Sequence, residues 1–365
     1  MLWLVAAASG ADWSVAPMPI GDYSSDHGVG YGGYLLAVRR EHPEAEDHTL
    51  RMGLQLFWST GKYRNHWLQV DAPRIAGGPW SVEVEAGWEA WEFAPYVGYG
   101  NDATRSRTVS ERFYTYDIAG GYVLGAFRRD LVGDWDAFAT TAFRVASVDP
   151  YPASALVLDR PAGMDGGQAW RVGVGAMHDT RKGLPDPKAG HATELSVRVG
   201  QDRVFGATLV DRRFLTLTEG LVLANQLLVD GRRGEEPFWM AHIVGGSRWI
   251  ALGGPDLLRG FPEGRFRGHA ALVEALELRW SARTFGIRGH SLEFVPSPFV
   301  EAGRVWAEGD TDALTHLHAD AGLGLRFIWD RDLVVRWDTA VGREEYADGT
   351  TGPILGVWFM FDHAF

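Results

Sequence analysis

The sequence predicts an all-β fold, a transmembrane antiparallel β-barrel of about 16 strands, on three observations. Apolar residues alternate with polar ones in segments roughly ten residues long, the length a tilted strand needs to cross a bilayer. The polar face of those segments carries full charges. The composition has 46 Gly and 16 Trp beside no Cys, which suits a barrel whose aromatic residues girdle two membrane interfaces.

The opening SVAPMPIGDYSS can be a first strand, and the Gly-rich run at 28–40 follows it. In TLRMGLQLFWS the residues Leu50, Met52, Leu54, Leu56 and Trp58 share one face, with Arg51, Gly53 and Gln55 on the other. WSVEVEAGWEA sets Val82, Val84, Ala86 and Trp88 against Ser81, Glu83, Glu85, Gly87 and Glu89. A helix would spread these charges around its circumference, whereas a strand separates them. Further runs fall at 113–129, 134–147, 168–178, 191–200, 203–214, 218–230, 236–244, 271–281, 289–306, 317–329 and 352–365. DLVVRWDTAVG puts Leu333, Val335, Trp337 and Val341 opposite Arg336, Asp338 and Gly342. At about 22 residues per strand and connection, 365 residues give about 16 strands. A soluble sandwich would use many short strands with Greek-key returns; these runs are long and hairpin-like. Tight connections such as DRD at 330–332 alternate with long ones such as REEYADGTTG at 343–352, the two-sided arrangement of an outer-membrane barrel.

Several function classes are excluded early. The net charge of −12 leaves no basic stripe to displace counterions from phosphates, so nucleic acid is not an expected partner. The lack of Cys removes disulfides, thiolate metal sites and a Cys nucleophile together; no metal or other cofactor is expected. No run approaches the 18 to 20 uninterrupted apolar residues of a membrane-spanning helix. The start MLWLVAAASGADWS looks like the apolar core and cleavage region of a secretory signal, without its basic beginning. Residues 1–12 are expected to be a signal remnant and 13–365 a single barrel domain.

Three stretches invite a functional reading. The chain ends GPILGVWFMFDHAF, with Phe359, Phe361, His363 and Phe365 at alternating positions; this resembles the C-terminal sorting signal of outer-membrane barrels, the alternative being a final strand that happens to end in Phe. In HDTRKGLPDPKAG, Pro185, Pro187 and Gly190 force a turn, and Asp179 and Arg181 lie on one side of the extended chain and can hold its ends. His178 and Asp179 make a poor hydrolytic dyad because adjacent strand residues face opposite ways, and no Ser sits in a nucleophile elbow nearby; the chain is not expected to be an enzyme. In SPFVEAGRVW, Phe299, Glu301 and Gly303 share a face, which points the Glu301 carboxylate into the lumen. Arg259, in GGPDLLRGFPEGRFRG, stands one hairpin away. An Arg259–Glu301 pair, with Gly260 letting the backbone approach the wall, would fold this loop inward as a lid; the alternative is a solvated loop cation.

These residues resemble the BamA/TamA-type outer-membrane assembly and translocation superfamily. LLRGFPEGRF is similar to its [V/L]RG[F/Y] motif, FVEAG to its F-x-D-x-G motif and HDTRKGLPDPKAG to its D-T-R-D turn. EEPFWMAHIVGG, VEALELRW and APMPIGDYSSDHGVGYGG resemble the approach to the lid loop, the strand after it and the barrel entry. The resemblance implies that Arg259, Gly260 and Phe261 form the tip of an inward-folded loop, with Glu301 in place of the family's Asp. Lys182 replaces the second Asp of the turn motif, which removes a turn-stabilising salt bridge. The barrel motifs begin by about residue 16, which leaves no room for the POTRA domains usual in members that handle clients. The implied function is outer-membrane protein assembly or polypeptide translocation through a weak pairing of the first and last strands. Its implied partners are the bilayer, client polypeptides and a separate periplasmic protein. The alternative is a passive pore or structural barrel that lost client handling with the POTRA domains.

Overall fold

The computed structural model describes residues 13–41, 48–287, 289–311, 314–330, 333–361 and 363–365; the signal-like residues 1–12 lie outside them. The wall opens with β1 (Trp13–Ser24), β2 (Gly28–Arg40), β3 (His48–Ser59), β4 (Tyr63–Ala72), β5 (Trp80–Pro95) and β6 (Thr115–Asp130). It continues with β7 (Trp135–Pro150), β8 (Gly167–Asp179), β9 (Gly190–Gly200), β10 (Phe205–Thr218) and β11 (Leu221–Arg233). A small ladder of β12 (Ile243–Val244) and β13 (Ile250–Ala251) precedes β14 (Ala270–Trp280), β15 (Arg283–Ile287) and β16 (His290–Trp306). The wall closes with β17 (His318–Trp329), β18 (Leu333–Glu345) and β19 (Thr351–Phe361).

Each wall strand pairs antiparallel with the next. β14 and β15 both pair with β16, at its two ends, so they occupy one position and the wall has 16 strands. The period of two in the sequence becomes two faces. In β18, Arg336, Asp338 and Ala340 are buried while Trp337 and Val341 are exposed, the apolar-out, polar-in arrangement of a barrel in lipid. The rims differ as expected. One carries the segments 96–114, 151–166, 234–269 and 307–317; the other has connections such as 131–134 and 219–220.

Closure is incomplete at one place. Among the described residues no ladder joins β1 to β19; Ser25 N–H donates to the Val357 carbonyl at 3.0 Å and Val357 N–H to Ser25 Oγ at 3.3 Å. Beyond that point β19 tucks behind the first hairpin. Phe361 belongs by register to the outward face of β19, beside Phe359 and opposite Val335, yet its ring stacks at 5.3 Å on the buried Tyr34 of β2.

Three strand expectations change. Segment 236–244 is not a wall strand: only Ile243 and Val244 pair, and Phe238, Trp239 and Met240 are buried in the lumen, a short apolar run whose periodicity alone could not distinguish the two. β4 was not anticipated, because YRNHWLQVDA places Arg64 and His66 beside Leu68 and Val70 on its outward face and so blurs the alternation. The final strand stops at Phe361, so His363 and Phe365 do not continue the face of Phe359 and Phe361; both are buried inside.

Candidate functional site

The segment between β11 and β14 folds back into the barrel, and most of residues 253–268 are buried. Turns compact it: Phe261 N–H donates to the Leu258 carbonyl and Arg265 N–H to that of Pro262. At its tip Arg259 is fully buried. Its Nε donates to Glu301 Oε1 at 3.1 Å, its backbone N–H to Glu301 Oε2 at 2.7 Å, and its Nη1 to Glu277 Oε2 at 3.1 Å and Asp338 Oδ2 at 2.9 Å. The guanidinium lies 3.4 Å from the centre of the Phe299 ring, a cation–π contact strengthened by the absence of bulk water.

Inward positions of neighbouring strands complete the network. Arg326 on β17 spans Asp338 Oδ1 at 2.5 Å and Glu277 Oε2 at 2.7 Å; Arg279 donates to Glu277 Oε1 at 2.8 Å and Arg336 to Asp338 Oδ2 at 2.8 Å. A buried charge is tolerated only when paired and hydrogen-bonded, and here Glu277, Glu301 and Asp338 together accept from four arginines. Asp320 accepts from Gly260 N–H at 3.0 Å. Two glycines allow the close approach. A Cβ on Gly260 would lie 2.6 Å from the Asp320 Cβ, and one on Gly356 of β19 would lie 1.8 Å from the Arg259 carbonyl.

The loop's other cations hold its remaining length. Arg265 pairs with Glu344 on β18 at 2.9 Å and donates to the Ala103 carbonyl at 2.7 Å. Arg267 donates to the carbonyls of Phe238, Gly264 and Pro95. Two contacts reach the elements that flank the open seam: Trp358 Nε1 on β19 donates to the Arg259 carbonyl at 2.7 Å, and Glu263 N–H donates to Asp26 Oδ2, in the β1–β2 turn, at 2.8 Å. Burial beside Glu89, Asp26 and Asp256 pushes the Glu263 carboxyl up to about 8. Glu263 borders a lumen cavity of about 190 Å³, lined also by Glu85, Glu89, Tyr122, Arg144 and His242.

Phe261 is fully buried against Phe266 and His318. Gly303 plays a different part from the expected one: a Cβ there would meet Val273 and the Leu272 carbonyl on β14, so its smallness serves strand approach and not the loop. Glu277, Arg326, Arg336 and Asp338 were not singled out as loop partners. Their signal was the full charge at alternating positions in VEALELRW, GLGLRFIW and VVRWD, which marks a lumen face without naming a partner.

At the opposite rim, Arg181 grips Asp179 through Nε at 2.9 Å and Nη2 at 2.7 Å. Gly190 has φ +97°, and a Cβ there would meet the Thr180 carbonyl at 2.3 Å. Pro187 lies in the turn between them, which reaches inward: buried Asp186 pairs with Lys188 and lies 3.2 Å from His363 Nε2. Phe365 offers its carbonyl to Arg279 Nη2 at 2.9 Å and packs beside Phe214, Leu257 and Phe261. The last residues therefore meet the turn and the lumen loop instead of facing outward.

No family model and no curated protein matches the sequence. Solved structures do match in shape. BamA from Haemophilus ducreyi lacking POTRA domains 1–3 superposes over 97% of this chain and 71% of its own, with a TM-score of 0.61 at 14% identity. CdiB from Escherichia coli matches 98% of this chain (TM-score 0.54, 13% identity) and CdiB from Acinetobacter baumannii 96% (TM-score 0.53, 13% identity). This chain spans 63% and 60% of those two CdiB chains, respectively. The chain thus carries the barrel fold of BamA and CdiB, the fold of the BamA/TamA-type superfamily that its motifs resemble.

Proposed function

We propose that this chain is a bacterial outer-membrane barrel that assembles outer-membrane proteins or translocates polypeptides, without enzymatic chemistry, and that its lumen loop is a lid coupled to the seam. The observation that carries this reading is the double attachment of the loop, through Asp26 to the first hairpin and through Trp358 to the last strand. Those elements flank the junction of β1 and β19, which has no ladder among the described residues. A seam that parts there exposes unpaired N–H and C=O groups that a client strand can satisfy. Its partners are then client polypeptides and a separate periplasmic protein that delivers them. An outer-membrane location is supported by the apolar outer wall, with Tyr31, Trp58 and Phe205 near one rim and Trp80, Trp135 and Trp280 near the other.

The chain has no Cys, so a seam lock can be introduced cleanly as Ser25→Cys with Val357→Cys. When the locked variant is the sole copy in cells, outer-membrane protein levels are expected to fall under oxidation and recover under reduction. Unchanged levels under both conditions, and on depletion of the protein, would contradict an assembly role and leave the reading of a structural barrel.

A further inference from the structure

The outer wall carries a polar row where lipid should meet only apolar groups. Asp211 and Arg213 on β10, Asn225 on β11 and Glu274 on β14 all point outward, because their neighbours Val210, Arg212, Ala224, Gln226, Val273 and Ala275 are buried inside. Cross-strand register sets them side by side: Arg213 is opposite Asn225, while Asp211 and Glu274 are both opposite Leu227. They lie at mid-height. β10 runs from Phe205 to Thr218, and the foot of the wall is marked by Trp280 opposite Leu221. On the neighbouring β9, Thr193 Oγ1 donates to Asp211 Oδ1 and His191 lies opposite Arg213, whereas outward positions such as Val174, Val300, Leu323 and Val341 on other strands are apolar.

Within the row, Arg213 Nε donates to Asp211 Oδ2 at 2.6 Å and Asn225 Nδ2 to Glu274 Oε1 at 2.7 Å. Among the described residues the terminal amino groups of Arg213 and the second oxygen of Glu274 have no partner, and the Arg213 side chain is 68% exposed. Acyl chains offer such groups neither hydrogen bonds nor counter-charge, so ionisable side chains at this depth mark protein contact.

We propose that this row is the dimer interface of a second copy of the chain, related by a two-fold axis along the membrane normal. The patch is self-complementary. It presents one unused cationic donor and one unused carboxylate, so Arg213 of each copy can reach Glu274 of the other, as an isologous contact requires, while Leu209, Leu223 and Leu276 pack around the pairs. The proposal rests on the outer wall facing lipid.

The test is the particle mass of protein reconstituted in nanodiscs, read by mass photometry. Wild type is expected as two copies per disc, and Arg213→Glu and Glu274→Arg each as one. An equimolar mixture of the two variants should recover pairs, because each mixed dimer again sets opposite charges at both contacts. Heat-modifiable migration shows that each variant is folded, and failure of wild type to enter vesicles would contradict the lipid-facing wall itself. One wild-type copy per disc, including one that retains anionic lipid or another membrane protein, would overturn the proposal. So would single variants that still pair, or a mixture that does not.

Discussion

Arg259 concentrates the chemistry of the lumen. Its guanidinium bridges Glu277, Glu301 and Asp338 from three different strands while its backbone carbonyl accepts from Trp358, so one residue ties the loop to β14, β16, β18 and β19. Removal would leave buried carboxylates short of a counter-charge, and Arg259→Ala should destabilise the folded barrel by about 3–5 kcal/mol. Arg259→Lys keeps the charge but loses the planar fork that reaches several acceptors at once; it should fall between the two. Gly356→Ala tests the same contact from the wall. Its Cβ would fall 1.8 Å from the Arg259 carbonyl, so the loop tip or β19 must move, at a cost of about 1–3 kcal/mol. Both effects are measurable as shifts in the urea midpoint of heat-modifiable migration, and a Gly356→Ala variant with an unchanged midpoint would show that the loop tip does not press on β19.

Between elements, the C-terminal tail and the β8–β9 turn form a latch across the rim opposite the long loops. Burial, then the nearby Arg279 charge, push the His363 imidazole below its ordinary value of 6.5. Burial alone would raise the Asp186 carboxyl, but His363, Lys188 and Arg279 outweigh it and hold the group low. The docked tail therefore binds fewer protons than a released one at His363. Docking is favoured above about pH 6.5 and weakens as the pH falls below it, while Asp186 stays ionised. Carboxypeptidase removal of the terminal residues should be slow at pH 8 and faster near pH 5, relative to a peptide of the same sequence; equal relative rates would contradict the latch.

The same elements show what the sequence made legible. Alternation located almost every wall strand, because lipid and lumen impose opposite demands on adjacent side chains. It missed β4, whose outward Arg64 and His66 break the pattern, and it mistook the lumen-packed run around Phe238 for a strand. The Arg259–Glu301 contact was readable from face and spacing. Its further partners Glu277, Arg326 and Asp338 were not, because alternation marks an inward charge on each of the neighbouring strands β14, β17 and β18 without showing which of them the loop tip meets. Nor could the terminal Phe365 be placed, since an aromatic end suits both an outward strand and an inward tail.

At the scale of the molecule, the barrel combines a lumen filled by the β11–β14 segment with a junction of β1 and β19 that has no ladder among the described residues. Fifteen antiparallel ladders hold the wall of 16 strands, no ladder joins the first and last strands among the described residues, where Ser25 and Val357 hydrogen-bond across the junction, and the loop that fills the lumen is attached to both sides of that gap. On the proposed function, the loop held by these buried charges is a plug whose release is tied to the seam. The most direct measurement is single-channel conductance in planar bilayers, comparing wild type with Arg259→Ala. An anchored lid requires low, quiet conductance from wild type and larger or noisier openings from the variant. Indistinguishable traces from two folded, inserted proteins would contradict the claim that Arg259 holds the loop as a plug.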